Sequence, residues 1–96
     1  MATVQVKLLA LGASPIGTRT LAVTMEGSPR LADLYRTLGS LHGVVITVDP
    51  DRQARDERGG ALSVLVNSRH SHHLSGVDTP LKDGDVVSIL PLLSGG

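Results

Sequence analysis

The chain has 96 residues, room for one small domain and not for two. Nine Lys and Arg offset nine Asp and Glu, a formal net charge of zero that argues against a general nucleic-acid or membrane-surface binder. Tyr35 is the single aromatic residue and cysteine is absent, which excludes stacking platforms, disulfide scaffolds, thiolate metal sites and cysteine nucleophiles.

Alternation opens the chain. From Thr3 to Leu11, Val4, Val6, Leu8 and Ala10 fall on one side and Thr3, Gln5 and Lys7 on the other, the period of a half-buried strand. Gly12–Gly17 breaks the pattern with turn residues. A second alternation, Leu21, Val23 and Met25 against Thr20, Ala22 and Thr24, makes an antiparallel hairpin with the first. A helix follows, with Ser28 expected as its cap and Pro29 at its first position. Leu31, Leu34, Leu38 and Leu41 form its apolar stripe, and Gly43 suits the left-handed residue that closes it.

Val44–Val48 is a short β-branched run. Asp49–Arg58 then carries seven charged residues in ten and reads as a solvated loop, ended by Gly59 and Gly60. Leu62, Val64 and Val66 alternate with Ser63 and Leu65 in a further strand. Asn67-Ser68 is a turn into the polar segment Arg69–Ser75, and Asp83-Gly84 is a tight-turn dipeptide. Val86–Leu90 is almost wholly apolar, the mark of a strand with neighbours on both sides.

One helix cannot cover both faces of a sheet. The expected fold is therefore α+β, with the helix packed on one face of a mixed, four- to five-stranded sheet. The first and last strands lie side by side in its middle, which is the β-grasp arrangement of ubiquitin-like proteins. The domain is expected to span residues 1–91, with 92–96 a flexible tail. No basic stretch followed by a long apolar run opens the chain, so a cytoplasmic protein without a secretory signal is expected.

Most catalytic constellations fail. His70, His72 and His73 are the only cluster of potential metal ligands, and without cysteine they read as a solvent-facing polar strand, not a metal site. Gly59-Gly60 is not followed by the Lys and Ser or Thr of a phosphate-cradling loop. Tyr35 reads as packing at the core edge. What remains is Pro91-Leu92-Leu93-Ser94-Gly95-Gly96, with two leucines outside any assignable element. Six residues from Pro91 span about 20 Å when extended. Glycines without Cβ can enter a channel too narrow for other residues. An unhindered terminal carboxylate, ionised at neutral pH, is suited to attack the α-phosphorus of a nucleotide and become an acyl adenylate. The plainer reading of the same residues is an unstructured tail.

The segment Pro80-Leu81-Lys82-Asp83-Gly84-Asp85-Val86-Val87-Ser88-Ile89-Leu90-Pro91, leading into Ser94-Gly95-Gly96, resembles the closing motif of the MoaD/ThiS sulfur-carrier family. It is most similar to the small subunit of molybdopterin synthase. The resemblance is strongest over Leu62–Gly96. It implies that Gly96 is adenylated by a ubiquitin-activating-type adenylyltransferase and then thiocarboxylated, with Gly95 giving access. Pro91, Leu92, Leu93 and Ser94 become partner-binding residues. The sulfur acceptor is the molybdopterin synthase large subunit or another sulfur-accepting enzyme. No side chain is assigned a catalytic role, and no permanent cofactor is implied, ATP and Mg being used by the activating enzyme. Three rivals stand beside the molybdopterin reading. The first is sulfur delivery to thiazole, cysteine, tRNA or secondary metabolites. The second is a ubiquitin-like modifier joined through Gly96 to target lysines, and the third is an interaction module that is never conjugated.

Overall fold

β1 (Ala2–Leu9) and β2 (Thr18–Met25) pair antiparallel without a bulge, from Ala2 opposite Met25 to Leu9 opposite Thr18. The structure, a computed structural model, describes residues 1–9, 18–70 and 75–91. Ala10, Leu11 and the expected turn at 12–17 lie outside the described residues. Along the hairpin the alternation sets the faces. Val4, Val6, Leu8, Val23 and Met25 are buried, while Gln5, Lys7, Thr20, Ala22 and Thr24 are exposed on the opposite face.

The one α-helix among the described residues, α1, runs from Leu31 to His42 and buries Leu31, Leu34, Tyr35 and Leu38. Its start differs from the expectation. Ser28 and Pro29 do not open the helix, because Arg30, in an extended conformation, precedes it and bridges Pro80, which ties Pro29 and Leu31 to Leu81 and Thr79. The Leu31 N–H donates to the Thr79 carbonyl at 2.9 Å and the Leu81 N–H to the Pro29 carbonyl at 2.9 Å. The first turn is closed instead by Asp33, whose Oδ2 accepts the Arg30 N–H at 2.8 Å. Leu41 also departs from the expected stripe and is 71% exposed. Tyr35 widens the buried arc on the side away from Leu41, which at 3.6 residues per turn lies about 70° from the arc's centre. Tyr35 itself belongs to the core, not its edge, and burial pushes its phenol above its ordinary pKa. Gly43 ends the helix at φ 66°, as expected.

Beyond the helix come β3 (Thr47–Val48), β4 (Ala54–Arg55), β5 (Ala61–Val66), β6 (Arg69–His70) and β7 (Val86–Pro91). The sheet order is β2-β1-β7-β5-β4-β3, with β6 also pairing β5. Among the described residues that makes seven strands, not four or five. The four expected ones are long, and the extra three have two residues each. β7 runs parallel to β1 and antiparallel to β5 at the centre, the β-grasp arrangement. Its Val87 and Ile89 meet Leu62, Val64 and Leu38 in one core under α1.

The charged run is the larger correction. Asp49–Arg58 is not a merely solvated loop, since it contains β4 and turns back through ordered polar contacts. Arg55 Nε donates to Asp49 Oδ2 at 2.8 Å, and Asp49 Oδ1 accepts the Asp51 and Gln53 N–H groups at 2.9 Å each. Those bonds hold the Asp49 carboxyl below the usual carboxylate range, with the Arg55 contact the main cause. Asp56 Oδ1 likewise accepts the Arg58 and Gly60 N–H groups. Polar side chains here close the turns on either side of the two-residue strand β4, which pairs with β3 and β5.

Candidate functional site

The expected site begins where β7 ends. Pro91 is the last residue of that strand, half-buried and opposite Leu62 of β5. Leu92, Leu93, Ser94, Gly95 and Gly96 lie outside the described residues. So do His72 and His73, while His70 pairs with Leu65 on β6.

The described residues form the mount of that site. β7 is about 20 Å long at the usual rise per residue, and it is held at its start by a compact polar turn. Lys82-Asp83-Gly84-Asp85 closes with the Asp85 N–H on the Lys82 carbonyl at 3.0 Å. Gly84 has φ 90° there, a left-handed value that explains the glycine at this place. Asp83 Oδ1 accepts the Thr3 N–H at 2.8 Å, and the Gly84 N–H donates back to the Thr3 carbonyl at 2.9 Å. The Gln5 N–H donates to the Asp85 carbonyl at 2.9 Å. Asp85 Oδ2 accepts the Lys82 N–H at 2.8 Å, so both carboxyl groups of the Asp-Gly-Asp sequence are spent on the scaffold.

Asn67 ties the same turn to the other side. With φ 51° for Asn67 and 70° for Ser68, this is the two-residue hairpin turn that joins β5 to β6. Asn67 Oδ1 accepts the Val86 N–H at 2.9 Å, Asn67 Nδ2 donates to Asp85 Oδ1 at 3.0 Å, and the Asn67 N–H donates to the Val86 carbonyl at 2.7 Å. The anchoring role of Thr3, Asn67 and Asp85 escaped the sequence reading. The Asn-Ser turn and the Asp-Gly turn were both legible, but their meeting was not.

The sheet face opposite α1 leads toward Pro91. Gln5, Lys7, Leu65, Val86, Ser88 and Leu90 point to it by strand alternation, the last four half-buried. Among the described residues, no helix is long and apolar enough to cross a membrane.

A mixed sheet with its first and last strands parallel at the centre, and one helix across one face, defines a ubiquitin-like β-grasp protein. The sequence profile of the ThiS family matches residues 18–96, and the chain belongs to that family of ubiquitin-like sulfur carriers. It is 28% identical over 82 residues to small archaeal modifier protein 3 of Haloferax volcanii, covering 84% of this chain and 85% of that protein. Among solved structures, a Haloferax volcanii protein determined in solution superposes with a TM-score of 0.66 at 26% identity. That match covers 99% of this chain and 87% of the other. Small archaeal modifier protein 1 of Methanosarcina acetivorans superposes with a TM-score of 0.60 at 28% identity, covering 100% of this chain and 98% of that one.

Proposed function

We propose that the protein carries sulfur on its C-terminal glycine, as the small subunit of molybdopterin synthase. The observation that carries this reading is the family match running through Gly96, beyond a central strand whose last residue, Pro91, pairs with Leu62 of β5. An activating enzyme, bringing ATP and Mg, places the nucleotide. The Gly96 carboxylate attacks the α-phosphorus, pyrophosphate leaves, and an acyl adenylate forms. A sulfur nucleophile then displaces AMP to leave a thiocarboxylate, whose sulfur passes to an acceptor on the large subunit. Such chemistry asks the carrier for reach and position, not for catalysis, and the chain's own side chains run no step. Pro91, Leu92, Leu93 and Ser94 dock on the partner, and Gly95 threads the channel.

The second reading is a covalent modifier, favoured by the likeness to two proteins named as small archaeal modifiers. Gly96 would then be joined to a lysine of a target protein. Both readings use the same adenylate and part after it.

The test is intact-mass spectrometry of the chain incubated with ATP, Mg, its cognate activating enzyme and a sulfur donor. Wild type is expected to exchange one oxygen for one sulfur. Deleting Gly96 withdraws the carboxylate by about 3.4 Å, and misplacement by about 1 Å can cost on the order of a hundredfold in rate, so that variant is expected to fold and stay unmodified. A Gly96 deletion that reacts as fast as wild type overturns the carrier reading. Isopeptide adducts in cells without free thiocarboxylate select the modifier.

A further inference from the structure

The two edges of the sheet are built differently. At one, β3 has two residues and runs directly into the charged Asp49–Arg58 stretch. At the other, β2 is eight residues long, and among the described residues its only strand partner is β1. Natural sheets blunt their edges with shortness, lysine, proline or a bulge. β3 is short and flanked by charge. β2 has no proline, no lysine and no bulge, and its one charge is Arg19 near the start.

The direction of its free backbone groups follows from β1. Thr3 and Gln5 spend their backbone groups on the β7 side, through the Gly84 N–H and the Asp85 carbonyl. Alternation therefore turns Val4 and Val6 toward β2, where they face Val23 and Leu21. The N–H and C=O groups of Thr20, Ala22 and Thr24 consequently point outward from the edge, and their side chains are exposed.

We infer that this edge pairs with β2 of a second copy, antiparallel about a two-fold axis through Ala22. In that register Ala22 faces Ala22, Thr20 faces Thr24, and Leu21 faces Val23, so polar side chains meet polar ones and apolar meet apolar. A one-residue shift would set Leu21 against Ala22 and mix the two faces. The chain's zero formal net charge puts no general repulsion between copies. The arrangement joins two sheets into one, keeps both helices on one side, and sends the two Pro91 ends in opposite directions. Neither Pro91 lies on the pairing edge, since β7 is separated from β2 by β1.

An edge pairing of this length buries less than the roughly 1,200 Å² of a standard interface, so the dimer is weak and concentration-dependent. Sedimentation equilibrium of the full chain, over about a hundredfold range reaching millimolar protein, is expected to show the mass rising from one chain toward two. Ala22→Pro removes only an outward N–H, once in each copy, and is expected to weaken association about tenfold or more with the fold retained. Ala22→Lys and Ala22→Glu each set like charges opposite one another and are expected to weaken self-association several-fold at low salt. An equimolar mixture of those two is expected to regain it as a heterodimer. A wild-type chain that stays monomeric throughout overturns the inference. So does a dimer indifferent to every Ala22 variant, or a Lys and Glu mixture that fails to pair.

Discussion

The half of the sheet built from β1, β2, β5 and β7 and the half built around Thr47–Gly60 are held together by different forces. In the first, period-two strands and one helix bury a continuous aliphatic core. There Val4, Val6, Leu34, Leu38, Val87 and Ile89 are fully buried. In the second, only Ala54 is buried, and order comes from Asp49, Gln53, Arg55 and Asp56 bonding to backbone groups and to each other. Burial of a large aliphatic side chain is worth about 1.5–3 kcal/mol, whereas an exposed ion pair is worth about 0–1 kcal/mol. The first half therefore sets the global stability. The second sets local shape.

The largest expected effect lies under the helix. Leu34 is fully buried, so Leu34→Ala is expected to cost about 2–5 kcal/mol through lost burial and a cavity. Urea unfolding checks it, and an unchanged midpoint would remove the helix from its place at the centre of the stability.

A smaller loss is expected where polar anchoring meets the core. Asn67→Ala removes the acceptor for the Val86 N–H and the donor to Asp85, and it puts a Cβ-bearing residue without a side-chain bond at φ 51°. The expected cost is about 1–3 kcal/mol. Asn67→Gly relieves the backbone conformation without restoring those bonds, so the difference between the two midpoints separates strain from hydrogen bonding. Equal losses from both would assign the whole effect to the bonds.

The smallest effect is expected in the charged half, and only in acid. The Asp49 carboxyl has a folded pKa below its ordinary value, first because Arg55 donates to it. A depressed carboxylate contributes stability that is full above the unfolded value of about 3.9 and is lost as pH falls through the lower folded one. Protection of the amides of residues 49–60, taken relative to their intrinsic exchange rates, is thus expected to fall in wild type below about pH 4, and to be low already at neutral pH in Asp49→Asn. The global urea midpoint of that variant should hardly move. A large fall in that midpoint would mean that the hairpin and the core unfold as one unit.

The contrast also explains what could be read in advance. Alternation in Val4–Leu8, Leu21–Met25 and Leu62–Val66, with the leucines at three- and four-residue steps, placed the long strands and α1. Apolar burial imposes a period, and a period is visible in one dimension. Leu41 was misplaced because spacing alone does not say where the buried arc is centred. Tyr35 decided that, by packing into the core.

The sequence alone determined the α+β class, the central place of the final apolar strand, the Gly43 and Asp83-Gly84 turns, and the resemblance that named the carrier family. Those follow from local propensity, from periodicity, or from the order of residues at the chain's end. Only the tertiary structure decided that Pro29–Leu31 pairs with Thr79–Leu81, and that the charged run folds back on itself. It also decided that Asn67, Thr3 and Asp85 converge to seat the strand ending at Pro91. These contacts join residues up to 80 apart through single polar groups, and a hydrogen bond between distant positions leaves no periodic trace along the chain.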